Sequence, residues 1–185
     1  MHHFTSLSRK AILLIAGMLA FTSCSTAQKS LTTSETCEEL PYINPIVPQR
    51  ADPWVYKDSD GTYYFIATAP EYDRIEIRKS NTINGLGTAE PKVIWTKHKT
   101  GKMGAHIWAP ELHKINGKWY VYFAAGEVED VWKIRMFVLS TDAADPTEGI
   151  WKEEGQIATE QDSFSLDATT FEHKGKRYLV WAQAK

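Results

Sequence analysis

The chain has 185 residues, a formal net charge of −2 and a sequence pI near 6.3, with 43% hydrophobic and 12% aromatic residues. This is an ordinary composition for a globular protein, and the mixed charges without a basic cluster argue against nucleic-acid binding. Seven Trp and eight Tyr residues favour a wide β core or a sugar-stacking surface, with core packing the commoner role for most of them.

The first 24 residues carry the pattern of an export signal. Arg9 and Lys10 precede the apolar run 11–21, which is too short to span a bilayer but has the length of a signal-peptide core. The order FTSC that ends at Cys24 resembles the bacterial lipoprotein signal, in which the Cys becomes the lipidated first residue. The sequence therefore predicts an exported protein, held to the cell envelope by a lipid on Cys24 and facing either the periplasm or the cell surface.

Conventional cleavage near this point is the alternative, and it leaves Cys24 and Cys37 able to form a disulfide in an oxidising compartment. With two cysteines in the chain, disulfides cannot be what holds the fold together. Residues 25–41 are rich in Ser and Thr and poor in apolar residues, which predicts a flexible tether. Residues 42–185 then form the folded domain.

One pattern occurs three times in this domain. Each copy is a short strand, a polar turn that ends in Gly, and a strongly apolar strand with an aromatic residue. The copies span residues 50–68, 108–125 and 166–183. Their turn glycines, Gly61, Gly117 and Gly175, recur at intervals of 56 and 58 residues. Strands repeated at such a period predict stacked units that bury a shared core, and a β-propeller of four-stranded blades around a central channel fits best.

Four strands are predicted in each of the first two copies and two in the third. Those of the first two copies are Pro53–Lys57, Thr62–Ala69, Arg74–Lys79, Lys92–Thr96, Leu112–Ile115, Lys118–Ala125, Lys133–Thr141 and Ile150–Glu153. The second strand of every copy, 178–182 in the third, is apolar at nearly every position, which predicts that neighbouring blades cover both faces. Residues 74–78 alternate instead, as expected nearer a blade's outer edge.

These strands amount to roughly two and a half blades, whereas propellers typically have about 4 to 8. We therefore expect residues 42–185 to be the N-terminal part of a truncated propeller. An open ring leaves a large unpaired flank, so the isolated chain should be poorly stable.

Two acidic residues occupy equivalent places in the first and third copies. Asp52 and Asp167 precede their turn glycines by nine and eight residues, and the second copy has Ala109 there with Glu111 two residues later. Because the first strand of each blade lines the channel, we expect these carboxylates to face one pocket. Clustered carboxylates raise one another's pKa and suit the general acid/base chemistry of glycoside hydrolysis. A structural role is the alternative. Asp is common at strand starts, and Glu111 is as well suited to an ion pair with a basic residue of the channel wall as to catalysis.

Other chemistries receive little support. Trp108 fits sugar stacking and wall packing about equally well. His106, His113 and His173 lack the close spacing of zinc ligands, which argues against a zinc site built by the protein. No GxSxG, P-loop or dinucleotide glycine motif occurs, which argues against serine-hydrolase and nucleotide chemistry.

Three stretches resemble motifs of glycoside hydrolase family 43, whose members are five-bladed β-propeller enzymes that remove arabinose or xylose from plant polysaccharides with inversion. NPIVPQRADPWVYKDSDGTYYFIAT looks like the first blade, HIWAPELHKINGKWYVYFAAG like the second-blade motif and SLDATTF like that of the third. The resemblance implies an all-β, five-bladed propeller. It also implies that Asp52 is the general base, that Asp167 orients the acid and adjusts its pKa, and that Trp108 and Glu111 approach the sugar.

The same resemblance places the general acid on a Glu of the fourth blade, so we expect this fragment to be inactive alone. The stretches APEYDRIEIRKS and GAHIWAPELH are most similar to exo-α-1,5-L-arabinofuranosidases, which implies arabinan or arabinoxylan oligosaccharides as substrates. No cofactor is expected within this chain, although many family members hold a cation at the channel centre through ligands in the missing half. The alternatives are a β-xylosidase on the same fold and a non-catalytic glycan-binding propeller in which Asp52 and Asp167 accept sugar hydrogen bonds.

Overall fold

The computed structural model describes residues 42–185, which form ten strands and a short 3-10 helix at Asn84–Gly87. The strands are β1 (Ala51–Lys57), β2 (Tyr63–Thr68), β3 (Arg74–Ser80), β4 (Lys92–Thr96), β5 (Ala105–Ile115), β6 (Lys118–Gly126), β7 (Arg135–Thr141), β8 (Lys152–Gln156), β9 (Ser165–His173) and β10 (Lys176–Gln183). The predicted signal peptide (1–24), the tether (25–41), Cys24 and Cys37 lie outside the described residues. Between residues 42 and 185, no helix is long and apolar enough to cross a membrane.

The strands form three antiparallel meanders in chain order. β1–β4 make one four-stranded sheet, β5–β8 make a second, and β9 pairs with β10 in a third. The hairpins of the second and third sheets turn at Asn116–Gly117 and Lys174–Gly175, where all four φ angles are positive. This is the backbone of a type I′ turn, whose twist matches that of the strands it joins. The three repeated units found in the sequence are therefore successive blades.

A continuous apolar core lies between the first two blades. Ile66 and Ile77 of the first blade and Trp119 and Phe123 of the second are fully buried in it. The Trp119 ring makes an edge contact with Tyr64 at a centroid distance of 5.2 Å. Such packing accounts for the apolar second strands, because β2 and β6 lie inside their sheets with side chains covered by the neighbouring blade.

The third blade departs from this pattern. Residues 178–182 were expected to be covered on both faces, yet Tyr178, Val180 and Trp181 are substantially exposed. β9 packs against the second blade through β5, β6 and β7, whereas nothing among residues 42–185 packs on the opposite side of the sheet. The expectation was wrong for this strand because burial depends on a neighbour as well as on composition.

Two strands of the first two blades also differ from expectation. β5 begins at Ala105, seven residues before the predicted start at Leu112, because two register irregularities let the strand bend and continue. β3 lies third of four in its sheet, next to the outer strand as expected, but its Glu76 is only 5% exposed. Its alternating sequence therefore reflects a buried ion pair, since Arg50 and Arg74 both donate hydrogen bonds to the Glu76 carboxylate.

Candidate active site

The first strand of each blade has the same backbone irregularity at the same place. Asp52, Ala109 and Asp167 have φ angles of 51°, 43° and 56°. Each stands where the pairing of its strand shifts register. Positive φ is uncommon for residues other than Gly, and a bulge re-aims the side chain that it carries. The equivalence of these three positions is thus a property of the backbone as well as of the sequence.

These bulges meet at one cleft of about 210 Å³. It is lined by Ala51, Asp52, Thr68, Tyr72, Trp108, Ala109, Leu166 and Asp167. The structure therefore brings together three of the four predicted site residues, Asp52, Trp108 and Asp167. All three blades contribute to the cleft, and its wall combines two carboxylates with aromatic rings.

Thr68 at the end of β2 connects Asp52 to the second blade. Its hydroxyl donates a hydrogen bond to Asp52 Oδ2 at 3.0 Å and accepts one from the Ala109 backbone N–H at 2.8 Å. Asp52 Oδ1 receives no hydrogen bond from residues 42–185, so Thr68 orients the carboxylate and leaves one oxygen available to a water. Thr68 was not identified from the sequence. The sequence feature that could have identified it is a hydroxyl residue at the end of the apolar run of β2.

The surroundings of Asp167 in the cleft shift its pKa. Partial burial, together with the negative charges of Asp52 and Glu111, raises the pKa of the Asp167 carboxyl above its usual value near 3.8. The ionised form of Asp167 is therefore disfavoured in the folded protein. A carboxyl of this kind takes up a proton more readily than an exposed one, which is typical of sites that carry out acid–base catalysis.

Glu111, the fourth predicted site residue, lies beside the cleft and does not line it. Its carboxylate is 3.0 Å from Nε2 of His113, a buried side chain on the same strand. The His113 ring packs on Trp54, whose indole N–H donates a hydrogen bond to the Leu112 carbonyl at 2.8 Å. Glu111 thus acts on Asp167 only through its negative charge. Its side chain is held by His113, which packs between the first two blades.

An aromatic pair forms one side of the cleft. Trp108 and Tyr72 meet edge to face, with ring centroids 5.9 Å apart and an interplanar angle of 87°. Tyr72 was not identified from the sequence, where it stands in the polar turn between β2 and β3. Both rings line the cleft and Tyr72 is 42% exposed, so the surface that they form is open to a ligand.

Comparison with known proteins identifies the family. The family model described as Glycosyl hydrolases family 43 matches residues 42–185. The chain belongs to this family. Every strand of the three blades lies within the matched region, and so do the four predicted site residues.

Individual relatives of this family 43 chain agree with that assignment. It is 62% identical over 143 residues to the extracellular exo-alpha-(1->5)-L-arabinofuranosidase of Streptomyces chartreusis, covering 77% of this chain and 44% of that protein. It is 48% identical over 163 residues to alpha-L-arabinofuranosidase 43 of Humicola insolens, covering 88% of this chain and 34% of that protein. The chain thus spans less than half the length of these curated relatives.

A solved structure of an alpha-L-arabinofuranosidase from Lactobacillus brevis shares the fold. Its TM-score to this chain is 0.73 at 49% sequence identity, covering 78% of this chain and 47% of that one. The predicted fold class, a five-bladed β-propeller of which about two and a half blades are present, is confirmed by this family 43 architecture. The roles predicted for Asp52, Trp108, Glu111 and Asp167 remain predictions.

The three histidines considered from the sequence are dispersed over the second and third blades. Among residues 42–185, no three or more His, Cys, Asp and Glu side chains come together in a way that could hold an ion. His106, His113 and His173 lie on separate parts of two sheets. The cation expected in many family 43 members stays a prediction.

We expect Asp167→Asn to stabilise the protein at neutral pH, because the substitution removes a disfavoured negative charge and Asn tolerates a positive φ. Solvent screening at this exposed position limits the gain to about 0.5 kcal/mol. The folded state binds the Asp167 proton more tightly than the unfolded state, so wild-type stability falls as pH rises through the interval above 3.8. Denaturant unfolding at pH 7 and at pH 3 tests this: the advantage of the variant should be present at pH 7 and vanish at pH 3.

Proposed function

We propose that the chain is part of an inverting exo-α-L-arabinofuranosidase that releases L-arabinose from α-1,5-arabinan or its oligosaccharides. The observation that carries the proposal is the pair of carboxylates, Asp52 and Asp167, at equivalent bulges on one cleft with Trp108 beside them. The arabinofuranosidase names of relatives at 48% to 62% identity favour arabinose as the sugar. Glycoside hydrolysis by inversion needs a base, an acid and room for a water between them.

In this mechanism Asp52 is the general base. Oδ1 accepts a proton from the water that attacks the anomeric carbon, while the Thr68 hydroxyl holds Oδ2 at 3.0 Å and fixes the plane of the carboxylate. Inversion places base and acid roughly 6.5–9.5 Å apart. By resemblance, the acid is a Glu of the fourth blade, which is not among the three sheets that residues 42–185 form, so we expect the 185 residues alone to be inactive.

Asp167 then serves as the residue that orients the acid and keeps it protonated. Its raised pKa comes from partial burial and from neighbouring negative charge, and a further carboxyl brought to the same cleft would experience the same field. Such a neighbour would hold its own proton until the leaving oxygen takes it. Trp108 offers the face of its ring to the sugar, and Glu111 contributes charge from the wall.

Export of the protein forms part of the proposal. The relative from Streptomyces chartreusis is named an extracellular enzyme, which favours export, and the sequence FTSC ending at Cys24 favours a lipid anchor. A polysaccharide too large to cross a membrane is cleaved outside the cell. An enzyme held at the envelope keeps the released arabinose close to the cell that takes it up.

Arabinose release tests the proposal directly. The product of the whole gene should liberate L-arabinose from linear α-1,5-arabinan and its oligosaccharides, with the β anomer formed first as inversion requires, as followed by NMR. The 185-residue chain, assayed beside it, should release none. Preferential cleavage of β-xylosides would favour a β-xylosidase, and glycan binding without turnover would favour a lectin-like propeller.

A further inference from the structure

Trp132, in the loop between β6 and β7, presents one of the most exposed aromatic rings among the described residues. Its side chain is 64% exposed, although Trp is usually well buried. Single exposed hydrophobic residues are common and by themselves carry no meaning. What distinguishes Trp132 is its position relative to the cleft.

The Trp132 ring continues the aromatic side of the cleft toward solvent. Its centroid lies 4.9 Å from that of His106 and 6.1 Å from that of Trp108. Trp108 in turn lines the cleft together with Asp52 and Asp167. A chain of rings therefore leads from the carboxylates outward, and His106 fills the space between the two tryptophans at 4.4 Å from Trp108.

The loop that carries Trp132 is held in place by the neighbouring turn. The Val128 N–H donates to the Gly101 carbonyl at 2.9 Å, and the Glu129 carboxylate accepts from the Gly101 N–H at 3.0 Å. Within the loop, the Ile134 N–H donates to the Trp132 carbonyl at 2.8 Å. The ring is thus presented from an anchored backbone, so binding a ligand against it costs little ordering entropy.

We propose that Trp132 binds the second sugar ring of the substrate, the one next to the residue held between Asp52 and Asp167. This assignment rests on the proposed function and deepens it. A furanose exposes C–H groups on one face and hydroxyls on its edge, and an exposed indole with an apolar face suits such a ligand. Trp132 is therefore a specificity-determining residue: it favours arabino-oligosaccharides over a single arabinose on a small aglycone.

The test compares Trp132→Ala with wild type in the product of the whole gene, on two substrates. For α-1,5-arabinotriose we expect kcat/KM to fall about tenfold, mostly through KM. For methyl α-L-arabinofuranoside, which has no second sugar, kcat/KM should stay within about twofold. Trp132→Phe should keep most of the arabinotriose activity. Ile150→Ala, at a position 94% exposed on another loop, is the control and should change neither substrate.

Each outcome has a distinct meaning. Unchanged arabinotriose kinetics in an active Trp132→Ala variant would overturn the assignment. Equal losses on both substrates would also overturn it, because Trp132 would then act by supporting His106 and Trp108. If the wild-type protein hydrolyses neither substrate, the proposed function has failed, and this is known before any variant is made.

Discussion

Asp52→Asn should lower kcat for arabinose release about 10²–10⁴-fold in the product of the whole gene, the contribution expected of a general base. The amide cannot accept the proton of the attacking water. The amide has the shape of the carboxylate, and its oxygen still accepts a hydrogen bond from the Thr68 hydroxyl. Asn also tolerates the φ of 51° that this position requires. The substitution therefore removes the chemistry and leaves the cleft in place.

Initial rates of arabinose release, with KM determined separately, measure this effect. Asp142→Asn provides the matched control, because Asp142 is 83% exposed in its side chain and lies outside the cleft, so its activity should equal wild type. Unfolding midpoints of both variants show whether the fold is intact. A stable Asp52→Asn protein that keeps more than about a tenth of wild-type kcat would contradict the assignment of Asp52 as the base.

The sequence was sufficient to predict the blades and the convergence of Asp52 and Asp167 on one cleft, although not the position of Glu111 beside it. Gly61, Gly117 and Gly175 mark turns that need positive φ, so their spacing reports the period of the fold. Asp52 and Asp167 precede these turns by nearly the same number of residues. Because the strands on either side of each turn pair as a hairpin, that number sets where each Asp lies along its strand. Turn residues and strand register are therefore enough to predict where a residue lies within its own blade.

Contacts between blades were not predictable in the same way. Thr68 contacts Asp52 along its own sheet and Ala109 across to the next one, and the second contact depends on how two sheets pack. The exposure of Trp181 and the burial of Glu76 have the same origin, because a side chain's burial depends on what lies opposite. Periodicity describes one sheet at a time, so it predicted the wrong environment for Trp181 and did not indicate the contacts of Thr68 or the burial of Glu76.

Glu76→Gln should destabilise the protein by about 2–3 kcal/mol, somewhat less than the ~3–5 kcal/mol of a fully buried ion pair. Glu76 is almost completely buried and accepts hydrogen bonds from Arg50 and Arg74. Arg74 keeps carboxylates at Glu71 and Asp73, whereas Arg50, whose side chain is 12% exposed, loses its charged partner. Arg50 precedes Asp52 by two residues, so the ion pair also fixes the start of β1.

Acid titration separates this ion pair from simple packing. Burial acts to raise the pKa of Glu76, but hydrogen bonds from Arg50 and Arg74 outweigh it and hold the pKa below its usual value near 4.5. Because the folded state releases this proton more easily, the stabilisation is complete at neutral pH and is lost as pH falls through the folded pKa. Denaturant unfolding should therefore show the difference between wild type and Glu76→Gln shrinking as pH falls below 4.5.

The control for this ion pair is Glu172→Gln, which removes an exposed partner of Arg177 at 3.2 Å on the third blade. An exposed pair contributes about 0.5 kcal/mol at most, because water and salt screen it. The two substitutions make the same chemical change, so the difference between their effects isolates burial. Equal and small losses at pH 7 would mean that Arg50 finds another partner or water in the variant, and that the start of β1 is held by packing instead of charge.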